Sequence, residues 1–363
     1  MKKLQLSLGV VSNPRTWPIL NGTIEPEGID LVATVFREPH FGLETIPNMG
    51  VAGEEIYKYG PGSIAHRVSG GPGQLFARQL MYGDFDVSEM SMTRLIMSIA
   101  QGDNRWMGFP VFMTRRFFHM DILVRKDSGI EKPEDLKGKH VGIETYQSVP
   151  AVWNRGMFQH DYGVHPKDIT FWRQIEPDYR PAGYVGFPRF TPPPEIKLND
   201  IPHGKTVVSM LKSGELQAAL ESPGDAGHGP GIDAPEVRQL FPDVYGECVR
   251  YYQRTGMYPI NHGAVIKREI VEKHPWVALN LFKAFQQAAE LADKQRMAHV
   301  GYHLESGLIP PEAEKALQKP IARHGVQFNK KVLETYLQYT YEQGLTPRQM
   351  KLEELYPGRM MET

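Results

Sequence analysis

Short apolar stretches typical of β-strands alternate with stretches typical of helices along most of this chain. Leu4, Leu6 and Leu8 alternate with other residues, which is the pattern of a half-buried strand. The first part of the chain predicts a strand, a second strand, a helix, a third strand and a second helix, at residues 4–11, 28–32, 75–82, 84–90 and 92–100. Strands that alternate with helices favour an α/β fold with a parallel sheet.

The length of the chain favours two lobes. With 363 residues it is too long for one small core. A second alternating unit begins near residue 120, and the chain returns to the first unit near residue 248. We therefore expect a discontinuous first lobe, formed by residues 1–118 and 248–363, and a second lobe formed by residues 119–247. Residues 38–73, which are rich in glycine, are predicted to form a long loop.

Composition excludes several classes of function. Lys and Arg total 41 against 42 Asp and Glu, so no basic excess exists to bind nucleic acid. The single Cys248 excludes an internal disulfide and a Cys-based zinc site. The stretch at residues 4–11 is too short and too polar for a secretory signal, and no run of 18 apolar residues follows. We therefore expect a cytoplasmic protein that makes no contact with a membrane.

Known metal and phosphate motifs are not found in this sequence. His160, Asp161 and His165 lack the His-Glu-x-x-His spacing that binds zinc on a helix. The glycine-rich residues 70–73 are not followed by the Gly-Lys-Ser/Thr of a phosphate loop, and no Gly-x-Ser-x-Gly elbow is present. We therefore predict no metal site.

Seven segments occur in one order over the first 300 residues, and together they carry a family resemblance. They are residues 15–16, 25–31, 85–91, 116–119, 134–139, 240–243 and 251–262. In this order they resemble the 4,5-dihydroxyphthalate decarboxylase family. Two stretches depart from the family pattern, residues 38–73 and 221–233, so the exact substrate is less constrained than the reaction class.

The resemblance implies both a fold and an activity. The fold is that of type II periplasmic-binding proteins, with two α/β lobes, two crossovers and a ligand cleft between the lobes. The activity is the decarboxylation of an ortho-dihydroxylated benzoate without an organic cofactor, with 4,5-dihydroxyphthalate converted to protocatechuate and CO₂. The partner is then a small aromatic carboxylate, and the family tends toward homo-oligomers.

Three alternative functions stay open. A solute-binding protein for an aromatic acid or a pyrimidine-like ligand shares the fold, and fold alone does not settle function. A thiamine-pyrimidine-precursor synthase has a similar fold but a Cys-rich segment, against the single Cys248 here. A related decarboxylase that acts on another hydroxybenzoate is the third.

The chemistry of the implied reaction requires cations that orient the acid and a group that protonates the ring. Arg15, Arg115 and Arg116 are candidates to grip a carboxylate through paired hydrogen bonds, and surface charge is the alternative for the last two. His262 and His119 are the candidate proton donors, because histidine exchanges its proton near neutral pH. A structural role is the alternative for each histidine, and the carboxyl group of Glu89 is a further candidate acid.

Hydrogen bonds to the ring hydroxyls or carboxylates need further polar groups. Ser91 ends a predicted strand, and its alternative role is to cap the helix at residues 92–100. Tyr146 and Ser148 precede a predicted helix whose N-terminus favours anions. Arg254 and Thr255 lie at the return crossover. Loop and hinge structure is the alternative for these last four residues.

Overall fold

The computed structural model describes most of the chain, namely residues 2–11, 13–37, 55–59, 63–69, 72–174, 190–220, 235–309, 311 and 323–363. Residues 221–233, one of the two stretches that depart from the family pattern, lie outside the described residues. A helix is also predicted at residues 311–322, and all of it except residue 311 lies outside them.

The described strands form two sheets. In chain order they are β1 (Leu4–Val11), β2 (Ile29–Arg37), β3 (Glu55–Tyr59), β4 (Ser63–Ser69), β5 (Val87–Ser91), β6 (Trp106–Arg115), β7 (Ile122–Arg125), β8 (His140–Ile143), β9 (Thr170–Arg173), β10 (Lys197–Asp200), β11 (Ala218–Leu220), β12 (Val237–Gln239) and β13 (Ile260–Lys267). The seven-stranded sheet has the order β3-β4-β2-β1-β5-β13-β6, and the six-stranded sheet has the order β10-β9-β8-β11-β7-β12. Both are mixed but largely parallel in their central parts.

The α-helices cover these sheets and connect their strands. They are α1 (Trp17–Leu20), α2 (Pro72–Tyr82), α3 (Met92–Ala100), α4 (Val149–Tyr162), α5 (Val207–Ser213), α6 (Val244–Thr255), α7 (Arg268–Lys273), α8 (Val277–Glu305), α9 (Val326–Glu342) and α10 (Leu352–Leu355). The predicted α/β fold class is confirmed. Among the described residues, no helix combines the length and the apolar character that a membrane span requires.

The strand directions of the first sheet bring several chain segments to one edge. β1 runs parallel to β5, whereas β13 is antiparallel to both β5 and β6. The carboxyl ends of β1, β5 and β6 therefore lie at the same edge as the start of β13. In open α/β sheets ligands bind outside the carboxyl ends of the strands. A ligand site is therefore expected among the segments that leave this edge.

Some predicted elements agree with the structure and one does not. β1 and α3 coincide with the strand and helix predicted at residues 4–11 and 92–100. The long loop predicted at residues 38–73 is wrong for the parts that form β3 and β4. These short strands form an edge hairpin between glycines, and the glycines concealed their strand pattern.

α9 joins elements of the two sheets. Near its start, Asn329 Oδ1 accepts a hydrogen bond from Arg115 at the end of β6, at 2.5 Å. Just beyond its end, Gln343 Oε1 accepts one from Arg155 of α4, at 2.8 Å. α4 follows β8 of the second sheet, so α9 contacts both halves of the molecule.

A glycine allows α9 to lie close to α4. A Cβ atom built on Gly156 of α4 would come within 2.1 Å of the ring of Tyr339 on α9. Tyr339 is 4% exposed and is held in the core, so its ring has little room to move. The small residue at position 156 therefore sets the distance between the two helices.

We expect Gly156→Ala to destabilise the protein by about 1–3 kcal/mol, because the added methyl group overpacks the contact with α9. Urea unfolding followed by circular dichroism measures the effect. Gly301→Ala is the matched control, since this glycine also lies in a helix but has open space around its Cβ position. Equal stability of the two variants would contradict the prediction.

Candidate functional site

A buried carboxylate and a histidine meet at the carboxyl edge of the first sheet. Glu89 of β5 is fully buried, and its Oε1 lies 2.7 Å from Nδ1 of His262 on β13. An ionised carboxylate only accepts hydrogen bonds, so with Glu89 ionised the donor in this contact is Nδ1 of His262. His262 Nε2 makes no hydrogen bond within the described part of the chain, and the side chain is 13% exposed. Nε2 is therefore the ring nitrogen available to a ligand.

The second carboxylate oxygen of Glu89 is also held. The backbone N–H of Val11, at the end of β1, donates to Glu89 Oε2 at 2.9 Å. The backbones of β1 and β5 pair at Leu8 and Gly9. Beyond this pairing, the Glu89 carboxylate accepts the backbone N–H of Val11 instead. With both oxygens engaged, the carboxylate has one orientation and fixes the imidazole ring beside it. This is the arrangement by which a carboxylate sets the tautomer of a catalytic histidine.

The strand that carries His262 is irregular at this point. The pairing of β13 with β6 shifts register on both sides of His262, between Ile260 and His262 and between His262 and Ala264. Such bulges redirect a side chain and are common beside active sites. The pairing partners of His262 are Ser91 on β5 and Thr114 on β6, so a residue with a hydroxyl side chain is its neighbour on each adjacent strand.

Ser91 does not act as the helix cap that was its alternative role. It precedes α3, yet its side chain makes no capping hydrogen bond. The residue is 7% exposed and pairs directly with His262. Ser91 is therefore the direct neighbour of His262 on the adjacent strand, and its side chain does not cap α3.

Arg15 and Arg115 lie close enough to influence each other. Nη1 of Arg15 approaches the carbonyl oxygen of Phe112 on β6 at 3.5 Å. Burial lowers the pKa of Arg15, whereas Asp293 on α8 raises it. Burial, with a smaller effect of the Arg15 cation, lowers the pKa of Arg115 to about 9. Two neighbouring cations thus lie beside the end of β6.

The other contacts of Arg115 and Arg116 favour structural roles. Arg115 donates to the carbonyl oxygens of Tyr258 and Arg323, both at 3.0 Å. Arg116 forms an ion pair with the fully buried Asp121. Both arginines stand at the crossover between the sheets, where they also meet the return segment before β13. Substrate contact by either one stays a prediction.

His119 lies in a different environment from His262. It is fully buried, with its ring 5.0 Å from that of Tyr251 and 5.8 Å from that of Phe241. Neither ring nitrogen has a hydrogen-bond partner among the described residues. Burial is the main cause that lowers the pKa of His119 to about 4. A neutral, enclosed imidazole of this kind is a poor proton donor at neutral pH, so its catalytic role stays a prediction that the contacts do not favour.

We expect His119 to make the fold sensitive to acid. Its usual pKa is 6.5, and the folded value is about 4, so between these pH values the unfolded state binds the proton and the folded state does not. Stability is therefore complete above pH 6.5 and falls by roughly 3 kcal/mol as the pH approaches 4. Urea unfolding at about pH 7 and about pH 4.5 should show a smaller loss in His119→Phe than in the wild type. The control is His140→Ala, which changes an exposed histidine and should lose as much stability as the wild type. An equal loss of stability in His119→Phe and the wild type would contradict the prediction.

The two candidates between β8 and α4, Tyr146 and Ser148, have structural contacts. Tyr146 is fully buried, stacks on Phe190 at 5.0 Å and has the Arg155 guanidinium 3.7 Å from its ring centre. Ser148 caps α4, because its Oγ accepts the N–H of Ala151 at 3.4 Å. These contacts correspond to their structural alternatives, and a ligand contact by either residue stays a prediction.

The candidates at the return crossover have similar structural contacts. Arg254 forms an ion pair with Asp161, and it is 46% exposed. The Thr255 hydroxyl donates to the carbonyl oxygen of Tyr251 at 2.7 Å and accepts the N–H of Met257 at 3.1 Å. The structure thus brings Glu89, Ser91 and His262 together, whereas Arg254 and Thr255 are the last residues of α6 and make their contacts there.

Comparison with known proteins bears on the resemblance seen in the sequence. The chain is 26% identical over 370 aligned positions to 4,5-dihydroxyphthalate decarboxylase of Comamonas testosteroni, covering 100% of this chain and 99% of that protein. It is 27% identical over 253 positions to 4,5-dihydroxyphthalate decarboxylase of Pseudomonas putida, covering 70% and 83% of the two chains. The resemblance to the 4,5-dihydroxyphthalate decarboxylases is confirmed. No family model matches the chain.

Solved structures confirm the two-lobed fold of periplasmic-binding proteins. The periplasmic aliphatic sulphonate binding protein of Escherichia coli matches with a TM-score of 0.52 at 14% identity, over 99% of both chains. The alkanesulfonate-binding protein of Xanthomonas axonopodis pv. citri, solved with bound MOPS, matches with a TM-score of 0.50 at 14% identity, over 96% of both chains. At such low identity these matches concern the fold alone.

Two residues of this region were not predicted from the sequence, namely Phe76, which contacts His262, and Arg94, which contacts Phe76. The ring of Phe76 meets that of His262 edge to face at 4.9 Å. The guanidinium carbon of Arg94 lies 5.6 Å from the centre of the Phe76 ring. Arg94 is 4% exposed in the first turn of α3, where residues 92–98 are all buried. An arginine within this apolar run is the sequence signal that could have indicated it.

A cluster suited to a metal is not found in the described ranges. No group of three or more His, Cys, Asp or Glu side chains there is arranged to hold a metal ion. The polar groups that do meet, the Glu89 carboxylate and the His262 imidazole, are suited to proton transfer.

Proposed function

We propose that this protein is a decarboxylase that needs no organic cofactor and converts 4,5-dihydroxyphthalate to protocatechuate and CO₂. The observation that carries the proposal is the alignment with a 4,5-dihydroxyphthalate decarboxylase over the whole length of both chains. The His262–Glu89 pair supports it, because the reaction needs a proton donor and this pair provides a positioned one.

In the proposed mechanism the proton comes from Nε2 of His262. The imidazolium form holds one proton on Nδ1, shared with Glu89, and one on Nε2. The Nε2 proton moves to the ring carbon that bears the carboxylate, and ring electrons form the new C–H bond. The bond to the carboxylate then breaks, its electron pair restores the aromatic ring, and CO₂ leaves. His262 is left neutral and regains its proton from solvent.

The substrate hydroxyl groups make ring protonation possible because they donate electron density to the carbon that is protonated. We propose that Ser91, which pairs with His262, contributes a hydrogen bond to one of them. The buried carboxylate of Glu89 stabilises the imidazolium until the proton is transferred. Arg15 is proposed to bind a substrate carboxylate, with Arg115 adding positive charge nearby.

We expect Arg15→Ala to raise the KM for 4,5-dihydroxyphthalate by about 10- to 100-fold, because a charge-assisted hydrogen bond to a carboxylate is lost. Steady-state assays of CO₂ release measure it. The matched control is Arg348→Ala, which removes an ion pair with Glu354 near the C-terminal end of the described residues. An unchanged KM in Arg15→Ala would remove Arg15 from the proposed binding site.

The experiment that tests the function is a decarboxylation assay across a panel of phthalates and hydroxybenzoates. We expect CO₂ release with 4,5-dihydroxyphthalate and formation of protocatechuate, both measured by chromatography and trapping of CO₂. Tight binding of the acid without CO₂ release would instead favour the solute-binding alternative, which has the fold of the sulphonate-binding proteins in its favour. Turnover of a different hydroxybenzoate only would keep the reaction class and change the substrate.

We further propose that the first lobe is formed by residues 1–118 with 248–363 and the second by residues 119–247. The support is that the first sheet takes strands from residues 4–115 and 260–267, whereas the second takes strands from residues 122–239. A cytoplasmic location and a homo-oligomeric state stay predictions. Cell fractionation tests the first, and sedimentation of the purified protein tests the second.

A further inference from the structure

A tryptophan from the second sheet's helix reaches the strand that carries His262. Trp153 on α4 is fully buried, and its indole N–H donates to the carbonyl oxygen of Ile260 at 3.2 Å. Ile260 is the first residue of β13, and the register shift before His262 begins there. The start of β13 is thus bound at its irregular point by a group that belongs to the other half of the molecule.

A tyrosine connects the same tryptophan to the strand that carries Glu89. Tyr336 on α9 stacks on Trp153 with ring centres 5.0 Å apart and an angle of 25° between the rings. Its hydroxyl group and that of Thr93 lie 2.5 Å apart in a buried hydrogen bond. Thr93 lies in the first turn of α3, directly after β5.

We infer that Trp153 and Tyr336 are positioning residues for the His262–Glu89 pair, an inference that rests on the proposed function for its catalytic meaning. One hydrogen bond from this aromatic pair fixes the segment after Glu89, and the other fixes the segment before His262. Because the two strands meet through their backbone pairing and the 2.7 Å contact, a shift of either end changes the angle and distance of that contact. Displacements of about 1 Å at a reacting group reduce rates by about 100-fold.

Buried aromatic residues more often contribute only packing, so the test must separate the hydrogen bonds from the rings. Trp153→Phe removes the indole N–H but leaves an aromatic ring in the stack. Tyr336→Phe removes only the hydroxyl group, and Thr93→Val removes the same hydrogen bond from the other side with a side chain of the same shape. If the rings contribute only packing, Tyr336→Phe and Thr93→Val should have the kcat and the His262 ring signals of the wild type.

Matched controls exist on neighbouring elements. Trp172→Phe removes an indole N–H that donates to His140 on the second sheet, at 2.9 Å. Tyr339→Phe removes a hydroxyl group from α9 that makes no hydrogen bond within the described residues, although its ring also contacts Trp153. Both controls repeat the chemical change without touching β13 or α3.

The experiment measures kcat and KM for 4,5-dihydroxyphthalate and the ¹⁵N chemical shifts of the His262 ring, assigned by their loss in His262→Asn. We expect Trp153→Phe, Tyr336→Phe and Thr93→Val to lower kcat by about 10- to 100-fold with KM changed by less than about threefold. We also expect them to move the His262 signals, while both controls leave rates and signals unchanged.

Two outcomes decide the inference. If Tyr336→Phe and Thr93→Val fold normally and leave kcat and the His262 signals as in the wild type, the inference is overturned. If the protein releases no CO₂ from any acid tested, the proposed function fails, and the ring signals still show whether the aromatic pair positions His262. Circular dichroism identifies any variant that does not fold, and Thr93→Val then provides the result for the same hydrogen bond.

Discussion

Replacing His262 by alanine is expected to lower turnover of 4,5-dihydroxyphthalate by about 10²- to 10⁴-fold, the usual contribution of a general acid. The side chain is 13% exposed, and its Nε2 makes no hydrogen bond to the described residues, so its removal disturbs few interactions that hold the fold. The substitution does remove the hydrogen bond with Glu89, and a buried carboxylate oxygen left without its donor costs about 1–3 kcal/mol of stability.

His262→Asn separates this loss of stability from the loss of chemistry. An asparagine amide nitrogen occupies nearly the place of Nδ1 and keeps a donor for Glu89, but no group remains at the place of Nε2. We expect the asparagine variant to be as inactive as the alanine variant and closer to the wild type in urea unfolding. The exposed His140→Ala serves as control and should keep full turnover. Turnover near the wild-type level in both His262 variants would assign the proton donor to another residue.

Glu89→Gln is expected to lower kcat by a similar factor, about 10²- to 10⁴-fold, although it changes only one atom. In the wild type both carboxylate oxygens accept hydrogen bonds, one from Val11 and one from His262. A glutamine has one accepting oxygen and one donating nitrogen, so it satisfies only one of these two donors. Either the Val11 N–H loses its acceptor, or His262 changes tautomer and its Nδ1 becomes the acceptor.

The measurements for Glu89→Gln are kcat, KM and the ¹⁵N spectrum of the His262 ring. We expect a strong fall in kcat with a smaller effect on KM, because the change affects the charge beside the imidazolium more than the binding of the acid. The control is Glu247→Gln, which changes a carboxylate of α6 that binds Tyr162 at the end of α4 and Arg250. A Glu89→Gln protein with wild-type kcat would show that the carboxylate does not assist His262.

The family resemblance and the residue types are sufficient to indicate the reaction class. His262, Glu89 and Ser91 are each candidates because of their chemistry and their place in segments shared with the family. Their grouping was not predictable, because the two residues of the pair are 173 positions apart and meet through the antiparallel pairing of β5 with β13. Sequence patterns over short windows contain no information about such pairing.

The same limit explains the candidates that have structural contacts. Arg115, Tyr146 and Thr255 carry functional groups suited to binding an acid, and nothing local shows that their partners are Asn329, the Arg155 guanidinium and a backbone carbonyl. The first of these contacts joins two distant elements, the second joins a turn to the helix that follows it, and the third depends on where a helix ends. The chemical type of a side chain is local, whereas its hydrogen-bond partners depend on the fold.

The amino-acid sequence by itself determined the alternation of strands and helices, the α/β class and the resemblance to decarboxylases, because periodicity and ordered motifs are properties of neighbouring residues. Only the tertiary structure decided that His262 is paired with a buried carboxylate whereas His119 is enclosed by aromatic rings. The reason is physical: the protonation of a histidine depends on burial and on nearby charges, and these are set by segments that are distant in the chain.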